Sequence, residues 1–395
     1  MSLTINAEPF TIAVGQDVLD DLQARLARTR FPGEVAGGGW LYGTDLTYMR
    51  RLVEYWQNDY DWREWEARLN SFPNYVAQVD GYRIHFICEE GSGPNPTPLL
   101  ITHGWPGSVF EFVGIIERLA HPERFGGRVE DAFTVICPSL PGYAWSSAPA
   151  APIHPKDVAD LWARFMTEVF GIERFAAQGG DWGSIVTSWL AHRHAERLIG
   201  VHLNMVPLKP CLGEGTPPLT DDERTWIGRY RKRTRHAMGY FQIQGTKPQT
   251  LNYGLSDSPA GLAAWIIEKF QHRMKEGPGE LTLFPMDELL TNVMIYWVTN
   301  CHNSAVWLYT SVTHNGGLDL GRRADGSPDR IEVPTGFCLF PYDLGPIPPE
   351  SWLQRAYNVK HFTAEEDGGH FAAWEKPLEL TADIQAFFRK LREDE

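Results

Sequence analysis

The stretch QGGDWGS, Gln178–Ser184, sets an aspartate among small residues where a strand-like run, RFAAQGG (174–180), meets a helical one, SIVTSWLAHRHAERL (184–198). Small-x-nucleophile-x-small is the form of a strand-to-helix elbow, whose strained turn needs small neighbours so that the central side chain can stand clear. Here that central residue is Asp181. Unpaired N–H groups at the start of the following helix favour an ionised carboxylate, which could attack carbon. An arbitrary Asp before a helix is more often only its N-cap. The flanking glycines and the preceding strand reverse that preference.

Working outward, apolar strand, loop and helix alternate from Leu99: LLITHG, VFEFVGIIERLA, FTVICPSLPG, VADLWARFMTEVFG, then the elbow, then GVHLNMVP. Strands and helices of these lengths predict an α/β fold, a mostly parallel sheet with helices on both faces. From about Lys209 to Gly326 the strand signal fades. Long helical patterns replace it, SPAGLAAWIIEKFQHRM and MDELLTNVMIYWVTNCHNSAVWLYTSV among them. Alternation returns at VPTGFCLFP and NVKHFTAEEDGGH, and the helical run ELTADIQAFFRKLRE closes the chain. A helical insertion in a resumed sheet would form a lid over the strand ends, where such folds bind ligands. The expected divisions are residues 1–90 as an N-terminal segment, 91–208 and 327–395 as the two parts of the core, and 209–326 as the lid. Within the first of them, helical patterns at Val18–Arg28 and from Thr44 to about Trp65 precede a strand-like YRIHFICE (82–89).

Composition narrows the function. At 395 residues, 43% hydrophobic, with 15 Trp and 20 Phe, the chain can bury a large core. Its 36 Lys and Arg against 50 Asp and Glu give a formal charge of −14, which repels a phosphate backbone or anionic membrane. The five cysteines are odd in number and scattered, with no zinc spacing, and read as free thiols. Absence of a signal-like stretch and of any long apolar run predicts a soluble cytoplasmic protein.

A nucleophile at Asp181 needs a base and something to orient it. DGGHFAAWEKP supplies His370 after a strand and a Gly-Gly turn, in the order nucleophile, acid, histidine. FPYD puts Asp343 just beyond the strand VPTGFCLF, ahead of competitors at Glu332, Glu350, Glu365, Glu366 and Asp367. HGWPGS (103–108) follows the strand LLIT, and its backbone could face the nucleophile. An oxyanion hole would then use the amides of Trp105 and Trp182. His192-Arg-His194 reads as surface rather than metal site, and the basic run near 224–236 as a solvated helix face or an oligomer contact.

HGWPGS, GGDWGS, FPYD and GGHFAAWEKP in this order, with TKPQTLNYGLSDSPAGLAAWIIEKF between them, resemble the microsomal-type epoxide hydrolases of the α/β-hydrolase superfamily. The likeness spans nearly the whole chain and points to a soluble, bacterial-style member. It implies that residues 1–90 wrap around core and lid, and that two lid tyrosines bind the epoxide oxygen. By motif match these are Tyr240, in MGYFQIQGTKP, and Tyr309, in SAVWLYTSV. Without the family, either tyrosine reads as an ordinary core aromatic, with Tyr230, Tyr253 and Tyr296 as near alternatives. The resemblance further implies a covalent aspartyl ester hydrolysed by His370-activated water, with no metal or organic cofactor. The substrate would be a small apolar or aromatic epoxide, given lid aromatics at Trp226, Phe241, Trp265, Trp297 and Trp307. A homo-oligomer stays open.

Three rivals remain. A haloalkane dehalogenase shares the aspartate and the adjacent tryptophan. A serine esterase is disfavoured because Ser184 and Ser108 lie outside the nucleophile position. A non-catalytic binder would have little reason to keep Asp181, His370, an acid and both tyrosines together.

Overall fold

The computed structural model describes residues 3–235, 237–273 and 283–394. Its centre is a nine-stranded sheet: β1 Glu8–Pro9, β2 Asn74–Val79, β3 Tyr82–Glu89, β4 Thr97–Thr102, β5 Phe133–Pro138, β6 Phe175–Gly179, β7 Leu198–Leu203, β8 Ile331–Leu339 and β9 Tyr357–Ala364. The spatial order is β1-β2-β3-β5-β4-β6-β7-β8-β9. Pairing is antiparallel from β1 through β3 to β5 and parallel from β5 to β9. β4, β5 and β6 are apolar along most of their length, as strands covered on both faces must be. The order steps from β4 outward in both directions, which puts the open strand ends at the middle of the sheet.

Helices cover both faces. Pro155–Phe170, with an apolar face carrying Trp162, Phe165 and Met166, packs on one side. Pro377–Asp394 covers the other with Ile384, Phe387 and Phe388. Between β7 and β8 the chain runs through a helical region from Asp221–Thr234 to Trp307–Asn315.

The structure differs from the sequence pattern in three places. The pattern from Thr44 to Trp65 is two helices, Leu46–Asn58 and Trp62–Asn70, because Asp61 turns to cap the second and accepts from the Arg63 amide at 2.8 Å. The run from Met286 breaks after Thr299, where Asn300 adopts a left-handed φ of 48°, and resumes as short helices at His302–Ala305 and Trp307–Asn315. The pattern SPAGLAAWIIEKFQHRM forms the helix Pro259–Ile267 and a tighter turn to Arg273, while Met274 lies outside the described residues. In addition, β1, β2 and β3 make the first ninety residues an edge of the sheet itself.

The first ninety residues also reach the helical region. Tyr55 donates to Asp287 at 3.0 Å, Tyr60 bonds Thr291 at 3.0 Å and Thr44 donates to the Ala264 carbonyl at 2.7 Å.

Candidate active site

β6 ends at Gly179 and the helix Asp181–Arg193 begins almost at once. The turn is tight enough that Asp181 takes a left-handed φ of 48°, a conformation costly for a residue with a side chain. What holds it there is packing. A Cβ at Gly183 would sit 1.7 Å from the Thr102 carbonyl oxygen, so the helix start lies directly on the end of β4. The result projects the Asp181 carboxylate out of the sheet, 17% exposed, into the centre of the molecule.

Three strand ends bring the other groups to it. The Trp105 amide, in the loop after β4, donates to Asp181 Oδ1 at 2.7 Å. His370, after β9, places Nε2 3.3 Å from Asp181 Oδ2 and Nδ1 2.6 Å from Asp343 Oδ1. Asp343, after β8, is fixed in turn by the Leu344 amide at 2.6 Å. The two loops are tied together where the Tyr342 amide donates to the Gly368 carbonyl at 3.1 Å. Trp182 lies in the first turn of its helix, where amides have no helical carbonyl to bond. Of the competing carboxylates, Glu332 pairs with Arg323 at 3.0 Å, Asp367 with Lys376 at 2.8 Å, and Glu350 accepts from Gln354 at 2.8 Å.

Burial disfavours an imidazolium at His370, but the charge of Asp343 and the hydrogen bonds and charge of Asp181 outweigh it and raise its pKa well above the ordinary value. His103 sits one loop away under opposite rules: burial holds it down to about 4, and its neutral ring accepts from the Leu140 amide at 3.1 Å. His103 therefore shapes the HGWPGS loop. Two side chains from the helical region clamp that loop from above. Asn292 donates to the Pro106 carbonyl at 2.7 Å and Tyr296 to the Gly107 carbonyl at 2.6 Å. Neither role had a signal in the sequence, since both residues sit within a run that reads as an ordinary helical pattern.

Opposite Asp181 the helical region contributes Tyr240 and Tyr309, which are 8% and 2% exposed. Their rings stand 5.9 Å apart, Trp105 stacks on Tyr240 at 5.4 Å, and Trp182 meets Tyr309 edge-on at 4.6 Å. Burial first and the Asp181 charge second raise the Tyr240 pKa, against the hydrogen bond with Tyr309; burial, Tyr240 and Asp181 raise that of Tyr309. Both phenols thus keep their protons and can only act as hydrogen-bond donors or acceptors, not as bases.

Asp181, Tyr240 and Tyr309 open on a cavity of about 140 Å³ whose wall is largely apolar, with Trp226, Phe241, Ile347 and Leu339 in it. Of the lid aromatics singled out in the sequence, Trp226 and Phe241 line this cavity. Trp265 instead bonds Gln244, Trp297 lies under Arg25, and Trp307 borders a separate polar groove. Tyr230 reaches the cavity edge, Tyr253 is 74% exposed, and Tyr296 serves the loop as described. A second cavity of about 10 Å³ lies behind Asp181, between His370, Asn204 and Glu111. Glu111 was read from the sequence as part of an apolar helical run; the signal available was a lone acid between Phe110 and Phe112.

His192 and His194 do not converge on a common centre: His192 pairs with Asp329 and His194 with Asp160, each at 2.7 Å. No helix among the described residues is long and apolar enough to cross a membrane.

Residues 7–112 match the family model described as epoxide hydrolase N terminus, and residues 97–236 match that of the alpha/beta hydrolase fold. A protein of Stigmatella aurantiaca is 40% identical, covering 97% of this chain and 85% of its own. Epoxide hydrolase 1 of Oryctolagus cuniculus is 33% identical, covering 96% of this chain and 88% of the relative. The chain belongs to the epoxide hydrolase family. Among solved structures, the Aspergillus niger epoxide hydrolase superposes with a TM-score of 0.84 at 30% identity, covering 99% of this chain and 98% of that one. This epoxide hydrolase therefore has the α/β-hydrolase fold expected of it. The dehalogenase, esterase and binder readings are not favoured by these relatives.

Proposed function

We propose that Asp181 is the nucleophile, Tyr240 and Tyr309 the donors to the epoxide oxygen, and His370 the base, oriented by Asp343. The observation that carries this is the setting of one carboxylate. Asp181 is held in a left-handed backbone, one oxygen occupied by the Trp105 amide, facing two protonated phenols across an apolar cavity. In the first step Asp181 forms a C–O bond to a ring carbon and the ring C–O bond breaks. Tyr240 and Tyr309 stabilise the oxygen on which charge develops, and it leaves as a hydroxyl with a proton ultimately drawn from solvent.

Esterification removes the Asp181 charge, one of the influences raising the His370 pKa. The ring then gives up its proton more readily and can accept one from water. Water attacks the ester carbonyl carbon of Asp181, and the resulting oxyanion faces the amides of Trp105 and Trp182. Collapse breaks the bond from that carbon to the alkyl oxygen, which takes the proton from His370, and the diol departs. The proton left on the regenerated carboxyl is then given up and balances the one consumed in ring opening.

Residues 209–326 would act as the lid that carries the phenols, 1–90 as the segment bracing lid against core, and 91–208 with 327–395 as the catalytic core. The wall of the cavity favours a small apolar or aromatic epoxide. The five free cysteines support a reducing compartment such as the cytoplasm.

Replacing His370→Gln should let the first step proceed and stop the second. Incubation with styrene oxide is expected to add the mass of one substrate to the peptide containing Asp181. A panel of epoxides that leaves no adduct on this variant would overturn the covalent assignment.

A further inference from the structure

The proposed chemistry needs one water, and it must be aimed. Water has two hydrogens; His370 can take one, so the orientation of the attacking lone pair depends on what receives the other. The cavity of about 10 Å³ behind Asp181 is the size of a single water molecule. His370 and Asp181 form one side of it. Glu111, Asn204 and His103 also line it; burial holds the His103 pKa down to about 4, so that ring stays neutral and Glu111 is the further carboxyl in the wall. We propose that Glu111 receives the second hydrogen of the hydrolytic water and thereby fixes the direction of its attack on the Asp181 ester.

The local sequence is built to bring this carboxyl in. Glu111 belongs to the short helical turn Val109–Phe112, whose first residues are capped by Ser108. Its side chain folds back over Gly107: a Cβ at that position would lie 1.3 Å from Glu111 Oε1. Residue 107 is a glycine because the carboxyl occupies the space its side chain would need. The Ser108 backbone offers that carboxyl a hydrogen bond. Ser108 is itself held by Asn292 at 3.1 Å, so the helical region that clamps the oxyanion loop also fixes Glu111.

The charges around Glu111 make its role change with the state of Asp181. Burial and the Asp181 charge push its pKa up to about 8, while His370 and the Ser108 hydrogen bond pull it down. In the resting enzyme, with Asp181 ionised, Glu111 is therefore largely protonated at neutral pH. Ester formation removes the Asp181 charge, and Glu111 then loses its proton to solvent more readily, becoming an ionised acceptor when water must be oriented. Water attack places one proton on His370, which passes it to the alkyl oxygen. The second hydrogen passes to Glu111 as Asp181 returns to a carboxylate. Asp181 and Glu111 thus share one negative charge through the cycle, and the proton Glu111 released balances the one taken up in ring opening. Besides Asp181 and His370, the titratable groups around Glu111 are His103, which lines the same cavity and is kept neutral by burial, and the buried phenols of Tyr143 and Tyr296, which stay protonated throughout.

This inference rests on Asp181 being the nucleophile, and single-turnover kinetics with styrene oxide separates the two. Ester formation and ester loss are followed by rapid acid quench and intact mass. Glu111→Leu should form the ester within about threefold of the wild-type rate and lose it about 100-fold more slowly. Glu111→Gln keeps a side-chain carbonyl to accept the hydrogen and should recover at least about tenfold of that loss. In the wild type, ester loss should rise through an ionisation below pH 8 that Glu111→Gln lacks, and this contrast decides the matter should the Leu variant fail to fold. Ester loss at the wild-type rate in Glu111→Leu, equal slowing of both steps, or the same pH profile in Glu111→Gln would each overturn the role of Glu111. Failure of any protein, wild type included, to form an ester would remove the Asp181 assignment instead and this inference with it.

Discussion

Two three-membered histidine–aspartate clusters are built from the same kinds of group at similar distances. In one, His370 lies 2.6 Å from Asp343 and 3.3 Å from Asp181. In the other, Asp383 takes His202 at 2.8 Å on one oxygen, and His361 at 2.9 Å with the Thr363 hydroxyl at 2.5 Å on the other. The second cluster is a strap. His202 and His361 stand in register on β7 and β9 with Gly336 of β8 between them. Because that residue has no side chain, the helix Pro377–Asp394 lies close enough for Asp383 to bridge both rings; a Cβ at Gly336 would meet Phe387 at 2.8 Å. Every oxygen of Asp383 is occupied, and the residue lines neither of the two cavities at Asp181. Asp181 differs in its strained backbone and in the space before it. On the assignment proposed above, reactivity comes from what is left open around a carboxylate, since the partners are alike.

The comparison can be broken most decisively at Asp181. Asp181→Asn keeps shape and suits the left-handed backbone, where Asn is well tolerated, but its amide is a poor nucleophile. Diol formation should fall at least about 10⁴-fold with the cooperative thermal transition retained. Activity within tenfold of wild type would mean that another group performs the attack.

The two orienting aspartates should separate cleanly into chemistry and stability. Asp343→Asn should slow ester loss by about 10²–10⁴-fold, because the amide favours the wrong histidine tautomer, with little change in melting temperature. Asp383→Asn should do the reverse. It leaves the buried His202 ring and the half-buried His361 ring competing for one carbonyl, at a cost of about 3 kcal/mol, while turnover per folded molecule stays near wild type. Melting curves and active-site titration on both variants test the pair, and a stability loss in Asp343→Asn equal to that in Asp383→Asn would erase the distinction.

The sequence made one of these clusters legible and hid the other. Gly179, Gly180 and Gly183 announce Asp181 because a strained elbow tolerates only small neighbours, and chain order then singles out His370. Asp343 follows from its position past a strand, although Glu332 and Asp367 fit nearly as well until their partners are seen. His202, His361 and Asp383 carry no such mark: their meeting depends on strand register and on a helix far along the chain. The same holds for Glu111, Asn292 and Tyr296, single polar residues whose value lies in contacts about 70–260 residues distant or in one cavity. Strands β1 and β2 also escaped notice, β1 being two residues long and recruited only by pairing with β2. Tyr240 and Tyr309 stand between these cases, invisible as a pattern and singled out only through family resemblance.

The smallest effect expected is the pH dependence of the strap. Burial works against the Asp383 carboxylate, but hydrogen bonds from His202 and His361, the charge of His202 and the Thr363 hydroxyl outweigh it and hold the Asp383 pKa well below the usual range. A carboxyl whose folded pKa lies below its unfolded value of about 3.9 stabilises the protein fully above that value and loses the contribution as pH falls toward the folded pKa. The gap in melting temperature between wild type and Asp383→Asn should therefore be constant from about pH 7 to pH 5 and close progressively below about pH 4. Closure on the alkaline side instead would show that the histidines, and not Asp383, carry the linkage. That outcome would make the strap a titrating pair after all, and bring it nearer in kind to His370 and Asp343 than its geometry implies.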